Sequence, residues 1–189
     1  MKRIITVILS LAASLVVMAQ VRITTPETEL IIKADKGADL QILYFGARLS
    51  DADAANIEAA GVPGHSAYRA YGLWCASEAS LGVTHADGNL STSLKVESVM
   101  QSDVIDNSIV TKVVMKDAVY PFYVTVCYRA YQDVDMIETW TEIANLGKKP
   151  VTLTRFDSGY LPVRVGDVWL SHLHGTWAAE GLLVQEPLQ

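Results

Sequence analysis

Alternation of apolar and polar side chains at every second position dominates the chain and predicts strands rather than helices. Four large side chains share one face of the segment 122–128: Phe122, Val124, Val126 and Tyr128. This is the pattern of a strand that buries one side. Residues 29–33, 40–45 and 109–115 are also typical of strands, because they alternate in the same way or are rich in β-branched residues.

One segment departs from this pattern. Residues 51–60 are rich in Ala and acidic side chains, which predicts a short helix that ends before the loop Gly61-Val62-Pro63-Gly64. Turn signals at 87–89 and at 147–150 predict two hairpins. Many short strands separated by turns, with few short helices, predict an all-β fold, an antiparallel β-sandwich.

The first nineteen residues have the pattern of a targeting segment. Lys2 and Arg3 precede an apolar run, Ile4 to Val17, and Val17-Met18-Ala19 offers the residues that a signal peptidase reads. Residues 1–19 are therefore predicted to be a secretory signal peptide, cleaved after Ala19, of a secreted or periplasmic protein. The alternative is a membrane anchor, for which the run is short.

Charge and cysteine content narrow the function classes. Without Lys2 and Arg3, 13 of the 15 basic residues remain beside 21 acidic residues, so the formal net charge is −8. No basic patch is evident, which argues against a nucleic-acid partner. An exported chain can pair its two cysteines, Cys75 and Cys127, but two cysteines do not make a disulfide framework, and two free, buried thiols are the favoured state.

Several motifs occur in a recognisable order across residues 44–180. They are Tyr44-Phe45-Gly46-Ala47-Arg48-Leu49, Tyr68-Arg69-Ala70-Tyr71-Gly72, the turn Asp87-Gly88-Asn89, residues 128–154, and residues 169–177 followed by Glu180. In this order they resemble the N-terminal β-domain of family 36 glycoside hydrolases, the α-galactosidases. In place of the Asp-Phe-Arg sequence of many members, this chain has residues 73–77, Leu-Trp-Cys-Ala-Ser.

The resemblance implies that residues 20–189 form an incomplete, supersandwich-like N-terminal domain. Its expected partners are α-galactoside sugars, reached through the full-length enzyme, and a catalytic barrel nearer the C-terminus. A homo-oligomer is also possible. Because the family places both catalytic carboxyl groups on the barrel, no catalytic residue is assigned here. No cofactor, no metal and, after cleavage of the leader, no membrane are expected.

The resemblance also implies that a loop of this domain approaches a sugar pocket. The residues expected to contact carbohydrate are Asp51, Asp53, His65, Trp74, His172 and Trp177. Other interpretations stay open: His172 and His174 have the spacing of two metal ligands on a strand, and Trp169 and Trp177 suit a core or a domain interface.

Two other functions remain open. The first is a stand-alone carbohydrate-binding or structural β-sandwich without catalysis. The second is a mutarotase-like epimerase, for which His172 and Glu180 are the pair to check.

Overall fold

The computed structural model describes residues 20–61, 63–72, 78–162 and 168–187, and it confirms an all-β fold with one short helix. The elements are β1 (Gln20–Thr24), β2 (Thr28–Lys33), β3 (Gln41–Ala47), α1 (Asp51–Ala59), β4 (His65–Ser66), β5 (Leu81–Thr84), β6 (Leu94–Gln101), β7 (Ser108–Asp117), β8 (Phe122–Tyr131), β9 (Ile137–Asn145), β10 (Thr152–Phe156), β11 (Trp169–Thr176) and β12 (Ala179–Pro187). The predicted helix is α1. No helix among these residues is long and apolar enough to cross a membrane.

The strands form two larger sheets and two strand pairs. The first sheet has the order β1-β2-β3-β4, and the second has the order β6-β7-β8-β9. Strand β5 pairs with β10, and β11 pairs with β12. Every one of these pairings is antiparallel.

The core lies between the two larger sheets. The first sheet contributes Leu30 and Ile32, and the second contributes Val113, Met115 and one face of β8. The predicted face of β8 is confirmed, because all four of its side chains are buried. Each large side chain buried in this way contributes about 1.5–3 kcal/mol relative to an exposed one.

The two predicted hairpins are wrong, although the turns exist. The chain does reverse at residues 85–89, where the His85 N–H donates to the Asn89 carbonyl at 2.8 Å and Gly88 has a φ of +87°. Strand β5 then pairs with β10 rather than β6, and β9 pairs with β8 rather than β10. The reason lies in burial: Leu81, Gly82 and Val83 are all buried, which a solvent-facing hairpin does not provide.

Burial is distributed unevenly along the chain. Every buried residue of the described ranges lies at or before Ala130, and none of the described residues from 131 to 187 is buried. In this part of the chain Ile137, Ile143 and Val151 are partly buried against the core, whereas Trp169, Leu173 and Leu183 of the last hairpin are more than half exposed.

Candidate functional site

Helix α1 begins at a capped turn that uses Asp53. The Ser50 hydroxyl donates to the Asp53 carboxylate at 2.6 Å, and the Asp53 N–H donates back to Ser50 Oγ at 3.2 Å. A Ser followed three residues later by an acidic side chain is a variant of the capping box, which satisfies free N–H groups of the first turn. The Asp53 carboxylate is thus engaged at the start of the helix.

Asp51 is held beside this turn by a buried ion pair. Glu29 on β2 is fully buried, and it accepts hydrogen bonds from Arg22 and from the Leu49 N–H at 3.0 Å. Arg22 Nη1 also donates to Asp51 at 2.6 Å, while the Asp51 side chain stays almost fully exposed. The loop before α1 is therefore fixed to the first sheet, and the Asp51 carboxylate faces solvent.

The ion pair keeps both of its groups charged. Burial by itself would raise the pKa of Glu29, but the hydrogen bonds from Arg22 and the Leu49 N–H outweigh it, and the pKa is lowered. The hydrogen bonds to Glu29 and Asp51 raise the pKa of Arg22. The pair is ionised at any pH near neutrality.

His65 lies far from these carboxylates. It is exposed on β4 and pairs with Ile42 near the start of β3, whereas α1 follows the other end of β3. From Ile42 to Ala47 the strand extends roughly 17 Å at about 3.3 Å per residue. The structure therefore does not bring His65 together with Asp51 and Asp53.

The hairpin of β11 and β12 carries the other predicted residues. Trp177 lies at its turn and is 96% exposed, beside Ala178, whose φ is +64°. His172 Nε2 is 3.6 Å from Glu186 Oε1 on the opposite strand. Because residues two apart on a strand point the same way, His174 shares this face.

The two faces of the hairpin differ in charge. From the register, one face combines these two histidines with acidic and apolar side chains: Leu170, His172, His174, Leu182, Val184 and Glu186. The other face has no charged group: Trp169, Ser171, Leu173, Leu183, Gln185 and Pro187. On the uncharged face Gln185 donates to Ser171 at 2.9 Å, and Trp169, Leu173 and Leu183 are 62–72% exposed.

Some predicted residues cannot be placed. Trp74 and Cys75 lie outside the described residues, and Cys127 is a free, buried cysteine. Among the described residues, no group of three or more His, Cys, Asp or Glu side chains could hold a metal ion.

The carboxylates of the second sheet are not arranged as a glycosidase pair. Glu138 and Glu142 lie four residues apart on β9, or roughly 13 Å, beyond the about 5–9.5 Å that the two known mechanisms require. Each is also engaged: Arg129 donates to Glu138 at 3.0 Å, and Lys112 donates to Glu142 at 2.7 Å.

Sequence reasoning missed a cavity between the two larger sheets. Its volume is about 400 Å³. It is lined by Thr28, Leu30, Ile42, Phe45, Tyr128, Asp135, Ile137, Thr139, Ser158, Gly159, Tyr160 and Leu161. Asp135, which the sequence placed only at a turn, is bonded across to the first sheet by the hydroxyls of Thr25 and Thr28.

A family model gives the decisive comparison. The model described as the glycosyl hydrolase family 36 N-terminal domain matches residues 38–189. The chain belongs to this family. The family that the motifs in residues 44–180 indicated is thereby confirmed.

Solved structures of α-galactosidases share the fold of this family 36 domain. The α-galactosidase of Lactobacillus brevis superimposes with a TM-score of 0.77 at 18% identity, over 90% of this chain and 27% of that one. A family 36 α-galactosidase variant of Geobacillus stearothermophilus, in complex with 1-deoxygalactonojirimycin, gives 0.79 at 19% identity, over 90% and 28%. Another variant from that organism, in complex with raffinose, gives 0.78 at 19% identity, with the same coverage.

These similarities establish the fold of the domain, and their coverage shows how much of each enzyme the domain represents. The family 36 domain spans less than a third of the length of the enzymes that it resembles. No curated protein sequence matches the chain significantly.

Proposed function

We propose that the chain is the non-catalytic N-terminal domain of an exported α-galactosidase, an enzyme that hydrolyses terminal α-galactosides in galacto-oligosaccharides. In this role the domain packs on a catalytic barrel and edges the sugar pocket. The observation that carries the proposal is the exposure of Trp169, Leu173 and Leu183 on the β11–β12 hairpin, each by 62–72%, in a chain that belongs to family 36. This hairpin forms a two-stranded sheet of its own, so its apolar side chains need a surface to pack against.

The uncharged face of the β11–β12 hairpin is the surface best suited to that packing. Trp169, Leu173 and Leu183 expose most of their apolar area there, and patches of this kind mark protein–protein contacts. The partner is a catalytic barrel or, in an oligomer, a neighbouring copy. The opposite face, with His172, His174 and Glu186, suits contact with water.

Two places on the domain are candidates for edging the sugar pocket. Asp51 offers an exposed carboxylate that Arg22 holds in place, and Trp177 offers an exposed ring at the hairpin turn. A carboxylate accepts hydrogen bonds from sugar hydroxyls, and an aromatic ring packs against the apolar face of a sugar. Asp53, His65, Trp74 and His172 remain proposed contacts of the same kind.

The proposal is tested in two steps. The first is to read the coding sequence in frame past residue 189, where a barrel with two carboxylates at strand ends is expected. The second is to assay purified residues 20–189 on an aryl α-galactoside, where no turnover is expected because the catalytic carboxyl groups of the enzyme are proposed to lie on the barrel. Turnover that survives purification and disappears when an acidic residue of this chain is replaced would refute the proposal.

A further inference from the structure

The cavity between the two sheets contains an unused hydrogen-bonding group. Tyr128 lines it from β8 and is only 6% exposed, yet its hydroxyl forms no hydrogen bond with any described residue. Among the described residues, Ser80 Oγ is the one side-chain polar atom that is both inaccessible to solvent and without a hydrogen-bond partner. The Tyr128 oxygen also lacks a partner, so it must retain some solvent accessibility. The cavity is the open space that this side chain borders.

A hydroxyl that borders a cavity and has no partner in the described protein is available to whatever occupies that cavity. It donates one hydrogen bond and accepts others. Burial raises the pKa of Tyr128, so its hydroxyl stays protonated and remains a donor at neutral pH. A ligand with an acceptor oxygen in the cavity would satisfy it.

The walls of the cavity indicate the chemistry of that ligand. Leu30, Ile42 and Ile137 form an apolar floor, and Phe45, which is half exposed, adds a ring near the mouth. Around them lie hydroxyl-bearing side chains: Thr28, Thr139, Ser158 and Tyr160. Apolar walls with a few convergent polar groups are typical of small-molecule sites.

The charge of the lining favours neutral over acidic ligands. Asp135 is the one ionisable carboxylate in the lining, and no Lys or Arg is among the described lining residues. Hydrogen bonds from Thr25 and Thr28 lower the pKa of Asp135, which keeps it negative. An anion would be repelled, whereas a neutral polyol can donate its hydroxyls to this carboxylate.

From these features we infer that the cavity between the two sheets is a binding site for a neutral monosaccharide unit, in which the Tyr128 hydroxyl donates to a sugar oxygen. Its volume of about 400 Å³ falls within the about 300–1,000 Å³ of known ligand sites. The site is distinct from the α1 turn and the β11–β12 hairpin. Only the choice of galactose as the sugar rests on the proposed function.

The test is to titrate residues 20–189 with galactose and raffinose and to follow binding by saturation-transfer NMR and by the shift in thermal unfolding. Tyr128→Phe keeps the ring and removes the hydroxyl, so it should weaken sugar binding about three- to tenfold. Without sugar its stability should equal or exceed that of the wild type, because no protein hydrogen bond is lost. Tyr123→Phe, on the opposite face of β8, is the matched control and should bind as the wild type does.

A second arm tests the electrostatics of the lining. Galacturonate differs from galactose by one carboxylate and should bind more weakly, and Asp135→Asn should reduce that difference. Absence of sugar binding by the wild type, or binding by Tyr128→Phe equal to the wild type, would overturn the inference. Either result would leave the proposed function intact, because packing of the domain on a barrel does not depend on this cavity.

Discussion

At the scale of single residues, Glu29 is, with Asp117, one of two carboxylates that are buried among the described residues. It is fully buried and its charge is balanced by Arg22, which is 29% exposed. Sequence alone predicted only that Glu29 begins a strand, because its partners come from β1 and from the loop before α1. A buried carboxylate is recognisable only once these distant groups are in place.

Replacing Arg22 by Ala should therefore lower the free energy of unfolding by about 3–5 kcal/mol, since removing one partner leaves a buried charge uncompensated. Lys112→Ala removes one side of an exposed pair with Glu142 and should cost less than about 1 kcal/mol. Urea unfolding of both variants at neutral pH measures the difference. Equal effects of the two substitutions would show that Glu29 is not buried as described.

The pH dependence of the Arg22→Ala effect has a definite sign. The lowered pKa of Glu29 means that its pair stabilises the fold above the ordinary value of 4.5 and that this contribution is lost as the pH falls through the folded-state pKa. In Arg22→Ala, burial instead favours the neutral carboxyl. The gap in stability between wild type and variant should therefore narrow as the pH is lowered below about 4.5.

At the scale of elements, local chemistry predicted where the chain turns but not which strands pair. The turn near residue 88 has Gly88 at positive φ, and in the turn near residue 147 the Gly147 N–H donates to the Asn145 side chain at 3.0 Å. The pairing of β5 with β10 depends on contacts more than sixty residues apart in the sequence, and local patterns do not encode these. The buried face of β8 was predictable because its alternation is long and its four side chains are large.

The turn between β6 and β7 gives a test at this scale. Asp106 and Asn107 have φ of 49° and 53°, and Ile105 and Ser108 exchange hydrogen bonds of 2.9 Å across them, as in a type I′ turn. Asn107→Val should destabilise the protein by about 1–2 kcal/mol, because a β-branched side chain is strained at positive φ. Asn107→Gly, which the same turn accepts, should change stability by less than about 1 kcal/mol. Thermal unfolding compares the two, and a Val variant as stable as the Gly variant would exclude this turn geometry.

At the scale of the whole molecule, export is the simplest property to measure. The basic residues Lys2 and Arg3, the apolar run and Val17-Met18-Ala19 predict that a signal peptidase removes residues 1–19. Intact-mass analysis of the exported protein should show a chain that begins at Gln20. Retention of Met1 in a membrane fraction would indicate an anchor instead.

At this scale the sandwich could be predicted from the sequence, whereas the cavity and the exposure of the β11–β12 hairpin could not. The order of motifs identified the family, and the alternation of apolar residues identified the sandwich, since both are written in neighbouring residues. The cavity and the exposed β11–β12 hairpin depend on how distant strands pack, so they can be recognised only once both sheets are in place. In particular, Leu173 and Leu183 have the pattern of core residues, yet each is exposed by more than half.

This exposure predicts that the isolated residues 20–189 associate with themselves. Each large side chain left in water forgoes about 1.5–3 kcal/mol of burial, against a total stability of about 5–15 kcal/mol for an ordinary domain. The double variant Leu173→Asp with Leu183→Asp places two charges on the uncharged face and should shift the protein to monomer in sedimentation or light scattering. Leu170→Asp with Leu182→Asp makes the same chemical change on the face that already bears His172 and Glu186, and it should leave most of the association in place. A wild-type chain that is monomeric and as stable as a longer form carrying the following polypeptide would show that the hairpin needs no partner, and the proposed docking face would lose its physical support.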